Sequence, residues 1–147
     1  MSALRAQQPK TSKYGVWESQ CAATSNGKAC ALVQKMMSEE QPSIGIMVSV
    51  RKSPGTPNGV IEFFAPPGTF LLEGVGIKVD NYELGKLPFF RCNQIACAAE
   101  GQIGNDVLDK MLNGKTMLVT IYLNPGEGVR HIFKLDGFED GYKALRE

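Results

Sequence analysis

The stretch Thr116–Leu135, TMLVTIYLNPGEGVRHIFKL, decides the fold class. Met117, Val119, Ile121 and Leu123 alternate with Thr116, Leu118, Thr120 and Tyr122, a period of two that places one set on a buried face of a strand. NPGEG, Asn124–Gly128, is a turn, and Val129–Leu135 resumes extended chain. Two such runs around a Pro-Gly turn predict an antiparallel hairpin. Ile44–Val50 repeats the signal, with Ile44, Ile46, Val48 and Val50 opposed to Gly45, Met47 and Ser49. RKSPGTPNG, Arg51–Gly59, then turns the chain, and Val60–Phe64 reads as the returning strand.

Outward from these hairpins the same rhythm continues. Shorter strand candidates are Tyr14–Gln20, Ala29–Gln34, Gly76–Val79, Pro88–Cys92 and Ala96–Ala99. Asp80-Asn81 reads as turn chemistry after Val79. Two segments change period. Val107, Leu108, Met111 and Leu112 fall at helical spacing within Asn105–Asn113, with Asn105 as N-cap and Gly114 as stop. Phe138, Tyr142 and Leu145 do the same within Gly137–Leu145, a last helix expected on a sheet edge. About eight strands with one or two short helices predict an all-β chain folded as a β-sandwich. The polar opening MSALRAQQPKTSK reads as a disordered segment over 1–13, the loose start of a mature chain whose signal peptide has been removed. Residues 14–147 read as one domain.

Composition narrows the function classes. The 147 residues carry 16 Lys and Arg against 15 Asp and Glu, a formal net charge of +1, with no block of like charge. Nucleic-acid binding draws on phosphate neutralisation, so this balance argues against a nucleic-acid partner. The apolar runs are far too short for a transmembrane segment. No cofactor motif is present: LLEGVGIKVD lacks both the Gly-Lys-Ser/Thr and the helix of a phosphate loop.

The four cysteines form two close pairs, Cys21 with Cys30 and Cys92 with Cys97. Structural zinc sites use knuckles of two to four intervening residues, which the first pair does not match. Redox couples favour Cys-x-x-Cys at a helix N-terminus, which neither pair matches. Disulfides fit both. Four cysteines allow three connectivities, and the local one closes Cys21–Cys30 over a TSNGK turn and Cys92–Cys97 over NQIA. Each small ring is worth roughly 2–3 kcal/mol, and such bridges persist in oxidising compartments, so a periplasmic or secreted location is expected.

Little else carries chemistry. His131, the only histidine, reads as a half-buried residue at a strand end rather than a catalytic base. No Gly-x-Ser-x-Gly elbow accompanies it, and the carboxylates are scattered, so no catalytic, metal or cofactor-binding residues are assigned and the chain is expected not to be an enzyme. Trp17, in phase with Cys21, is expected to pack near the first disulfide. In FFAPPGTFLL, Phe63–Leu72, either Phe64, Phe70 and Leu72 enter the core around a Pro-Pro-Gly bend, or the run forms an exposed apolar ridge. Phe63, Phe64 and Phe70, with Arg51 and Lys52 of the neighbouring loop, are the candidate partner surface. Phe89 and Phe90, adjacent on a strand, must face opposite sides.

Four stretches together resemble the invasion-associated locus B family: YGVW with CAATSNGKACALVQ, PPGTFLLEGVGIKVDN, PFFRCNQIACAAE and GFEDGYKAL, spanning Tyr14 to Leu145 in family order. The chain departs from the family's frequent Gly-Asp-Trp, having Gly15-Val16-Trp17. The resemblance implies an exported bacterial envelope protein with an immunoglobulin-like β-sandwich and two disulfides. It implies a non-enzymatic binding or virulence-support module, with an unknown protein partner in the envelope or on a host cell surface and outer-membrane association as one location. The family is named for a pathogen protein that helps its bearer invade red blood cells, but many relatives lead no such life. The alternative is a periplasmic structural or stress-related protein with no host role.

Overall fold

A computed structural model describes residues 10–25, 27–53 and 58–145. Among the described residues, eleven strands and two helices run β1 (Lys10–Tyr14), β2 (Trp17–Thr24), β3 (Gly27–Met37), β4 (Gly45–Lys52), β5 (Gly59–Ala65), β6 (Val75–Val79), β7 (Tyr82–Leu87), β8 (Phe89–Cys92), β9 (Cys97–Ile103), α1 (Asn105–Asn113), β10 (Thr116–Asn124), β11 (Glu127–Lys134) and α2 (Phe138–Ala144). They form a seven-stranded sheet, β1-β2-β3-β4-β5-β9-β8, and a four-stranded sheet, β11-β10-β6-β7. Every pairing is antiparallel. The expected β-sandwich is present, and it is immunoglobulin-like in being two packed antiparallel sheets. Its strand order is mostly a meander.

The alternating segments behave as their period requires. Ile46, Val48 and Val50 of β4, Ile61 and Phe63 of β5, Met117, Val119 and Ile121 of β10 and Val129 and Phe133 of β11 are all buried between the sheets. At roughly 1.5–3 kcal/mol per fully buried large side chain, this shared layer is the main source of stability. The β10–β11 hairpin turns through Pro125 and Gly126, the latter at φ 76°, the proline-then-glycine order of a type II turn.

Three expectations need correction. Eleven strands form rather than about eight, because β1 and β7 are polar and show no alternation. Tyr14–Gln20 is not one strand but two, broken at Gly15-Val16 by a hairpin turn that pairs β1 with β2. Lys10–Lys13 therefore belong to a strand and not to a disordered segment. The rest of that segment, residues 1–9, lies outside the described residues, as do Asn26 of the TSNGK turn, 54–57 of the Arg51–Gly59 loop, and 146–147.

The two helices cover one end of the sandwich. Leu108 and Met111 turn inward from α1, whose N-cap is Gly104, with Asn105 its first residue rather than its cap. Helix α2 packs on β1, β2 and β3 through Phe138, whose ring lies 5.2 Å from that of Trp17 in an edge-to-face contact. Trp17 is fully buried, with Phe138 as its ring partner. Just above this pair two turns meet backbone to backbone. Gly15 at φ 59° and Gly137 at φ 85° each lie so close to the other turn that a Cβ would run into the Asp136 or Tyr14 carbonyl. The Val16 N–H donates to the Asp136 carbonyl at 3.2 Å. YGVW and GFEDGYKAL, far apart in the chain, are therefore two halves of one junction.

Both cysteine pairs are joined locally, Cys21–Cys30 and Cys92–Cys97, with Cα separations of 4.0 Å. In each case the bridged residues are directly opposite on paired strands, Cys21 on β2 with Cys30 on β3 and Cys92 on β8 with Cys97 on β9.

Candidate partner-binding face

The outward side chains of the seven-stranded sheet form rows set by strand register. One row runs Met47, Phe64, Ala98, Arg91 across β4, β5, β9 and β8. Met47 is 36% exposed and Phe64 half-buried. Beside Arg91, Phe90 is 54% exposed, with the Arg91 guanidinium 5.5 Å from its ring centre. The next row places Ser49, Glu62 and Glu100 side by side. Two carboxylates directly opposite on neighbouring strands repel, and Arg51 bridges them, at 3.7 Å from Glu62 and 3.5 Å from Glu100. Burial and the Glu100 charge hold the Glu62 carboxyl above the usual carboxylate range, against the pull of Arg51 and Arg91. The face thus combines an apolar row with a compensated charged one.

Only part of the expected surface comes together here. Phe64 and Arg51 lie on this face. Phe63, one residue away, is fully buried between the sheets, because adjacent strand residues face opposite sides. It offers a partner nothing. Phe70 is half-buried beyond the end of β5, its N–H donating to the Tyr122 carbonyl at 2.7 Å. Lys52 serves the fold: its ammonium reaches the Lys143 and Leu145 carbonyls at 3.5 and 3.2 Å and stands 5.3 Å from the Tyr142 ring centre. That is cation capping of a helix C-terminus. Leu72, for which both a core position and an exposed ridge were open, is 89% exposed.

The sequence set Met47 opposite the buried face of its strand without marking it as a contact residue, left open which of Phe89 and Phe90 points out, and gave no sign of Ile95. The signal for Phe90 was present, since Phe89 packs against the core and its neighbour must then point out. Ile95, 84% exposed, stands in the loop closed by Cys92–Cys97. There the Asn93 side chain accepts the N–H groups of Ile95 at 2.7 Å and Ala96 at 2.8 Å, and the Asn93 N–H donates to the Ala96 carbonyl at 2.9 Å. A loop so tied presents its isoleucine with little conformational freedom left to lose on binding.

Two other features have structural roles. Asp80, the one described non-glycine residue at positive φ, 51°, accepts the Lys115 and Thr116 N–H groups through its carboxylate at 3.1–3.3 Å. It confirms the turn chemistry read at Asp80-Asn81. It also borders an open cleft of about 520 Å³ between the β6–β7 turn and α1, in which Lys110 sits 3.5 Å from the Tyr82 ring centre. His131 is not half-buried at a strand end. It is wholly buried on the inner face of β11, with Nε2 3.1 Å from the Ile44 carbonyl. No helix among the described residues is long and apolar enough to cross a membrane.

The fold has a solved counterpart. The crystal structure of invasion associated protein B from Bartonella henselae superposes with a TM-score of 0.72 over 89% of this chain and 90% of that one, at 19% sequence identity. At that identity the likeness establishes the fold alone. No curated protein matches the chain by sequence. The sequence profile of the invasion associated locus B (IalB) protein family, however, matches residues 17–146, a span that begins at the Trp17 packed on α2 and includes the whole of that helix. On that match, and with both cysteine pairs and the terminal helix in place, the chain belongs to the invasion associated locus B family.

Proposed function

We propose that the protein is an exported, non-enzymatic binding module of the bacterial envelope that contacts a protein partner through the outer face of its seven-stranded sheet. The observation that carries this reading is the outward pair Met47 and half-buried Phe64, with exposed Phe90 at the far end of their row, beside the Arg51–Glu62–Glu100 bridge. Interfaces favour Met, Phe and Arg over Lys and Glu, and this face supplies all three. Two disulfides joining every described cysteine support an oxidising compartment, periplasmic or outside the cell. The name of the Bartonella henselae counterpart, an invasion associated protein, supports host-cell contact as the setting.

The test is a pair of charge insertions in the bacterium that carries the gene. Met47→Glu places a charge in the apolar row, and Ile132→Glu places one on the outer face of the other sheet, where Ile132 is likewise exposed. Host-cell uptake, or envelope integrity where no host exists, is expected to fall at least tenfold with the first and to stay unchanged with the second. Equal phenotypes from two equally folded variants would exclude the face. An envelope defect without any change in uptake would move the role to the periplasmic structural alternative.

A further inference from the structure

We propose that His131 is the pin of an acid-sensitive clasp that holds the β3–β4 loop, residues 38–44, against β11, and that protonating the ring releases the loop. Three side chains make the clasp through four polar contacts. The Ser38 hydroxyl donates to the Arg130 carbonyl at 3.0 Å, the Glu40 carboxylate receives Arg130 Nε at 3.0 Å and its N–H at 3.3 Å, and His131 Nε2 meets the Ile44 carbonyl at 3.1 Å. Inside the loop, the Ser38 N–H donates to the Ile44 carbonyl at 3.0 Å and the Ile44 N–H to the Gln41 carbonyl at 2.9 Å. Residues 39–43 are exposed, so the apolar surface that opening the clasp uncovers is that of Ile44 and of the ring itself.

The chemistry follows from the tautomer. A carbonyl oxygen only accepts, so Nε2 carries the hydrogen and Nδ1 is a bare lone pair. Nδ1 is buried and makes no hydrogen bond. Protonating it puts a full charge and a new donor where no water reaches. The charged groups around it are few. Glu40 faces it from the loop, and Glu127, Arg130 and Lys134 of β11 are exposed. The inward residues of β3, β4 and β10 next to it are uncharged, among them Gln34, Ile46 and Val119. Burial lowers the His131 pKa from 6.5, and the carbonyls of Ile44, Val129 and Val119 together with Glu40 do not restore it.

The sign is then fixed. With the loop open the ring is hydrated and takes up a proton near pH 6.5, whereas with the loop closed it does so only at lower pH. The closed form keeps its full advantage above 6.5 and loses it as pH falls from there toward the lowered value. Glu40 acts in a separate window: Arg130 lowers its pKa from 4.5, so its contribution is lost only in stronger acid.

Native-state amide hydrogen exchange between pH 7.5 and 5.0, corrected for intrinsic rates, tests the clasp in the wild type and in His131→Gln, which keeps an N–H donor but does not titrate. Protection at the Arg130 amide, whose N–H is held by Glu40 of the loop across the clasp, is expected to fall by up to about tenfold per pH unit below 6.5. Amides of β5 should hold theirs, and the variant should show no such slope. A flat wild-type profile, or the same slope in His131→Gln, overturns the proposal. If the variant does not fold, the wild-type imidazole resonances decide. A ring titrating at 6.5 with Arg130 amide protection unchanged overturns it as well, whereas a ring titrating below 6.5 in step with exchange of that amide supports it.

Discussion

Replacing Gly137 with alanine is expected to destabilise the protein by about 2–5 kcal/mol, seen as a lowered urea midpoint at unchanged slope. A left-handed non-glycine residue costs roughly 1–2 kcal/mol, and overpacking a tight contact adds about 1–3 kcal/mol. Both apply at Gly137, whose φ is 85° and whose missing Cβ leaves room for the Tyr14 carbonyl. Gly15→Ala should cost a similar amount from the other side of the junction, because its own Cβ would strike the Asp136 carbonyl. The control is Gly126→Ala. Gly126 also has positive φ, 76°, but opens onto empty space, so only the backbone penalty of about 1–2 kcal/mol remains. Equal losses at Gly126 and Gly137 would mean that the two turns do not interlock. The junction positions α2, and with it Phe138 on Trp17 and the carbonyl cap on Lys52.

Phe63→Ala and Phe64→Ala are expected to differ sharply although the residues are neighbours. Phe63 is fully enclosed opposite Ala99, so truncating it should cost about 3–5 kcal/mol. Phe64 stands half-buried on the outer face between Met47 and Ala98, and its loss should cost roughly 1 kcal/mol. Chemical denaturation of the two variants measures both. The reverse order would require β5 to slip by one residue against β4 and β9, which would exchange core and surface along the whole strand.

The readable parts of this fold were those in which one strand carries its own pattern. β4, β5, β10 and β11 each bury alternate residues, and that alternation is visible without knowing their neighbours. The cysteine pairs were readable because each joins strands consecutive in the chain and directly opposed. β1 and β7 were not, since KTSKY and YELGKL are edge strands whose few inward side chains, Tyr14, Leu84 and Leu87, are only partly buried and do not alternate along a whole strand. Phe63 and Phe64 could not be told apart because both are large and apolar, and the faces are assigned by what packs above β5. Lys52 and His131 were misjudged for a related reason. Their partners lie 91 to 93 and 87 residues away, at the end of α2 and in the β3–β4 loop, and no local spacing announces them.

The central claim is that the outer face of the seven-stranded sheet meets a partner. It is tested most directly by placing a photo-activated cross-linking residue at Met47 and, separately, at Ile132 in living bacteria. The protein is then recovered under non-reducing conditions. A discrete higher-mass adduct is expected from position 47 and none from position 132. Adducts of equal yield from both positions, or from position 132 alone, would contradict it.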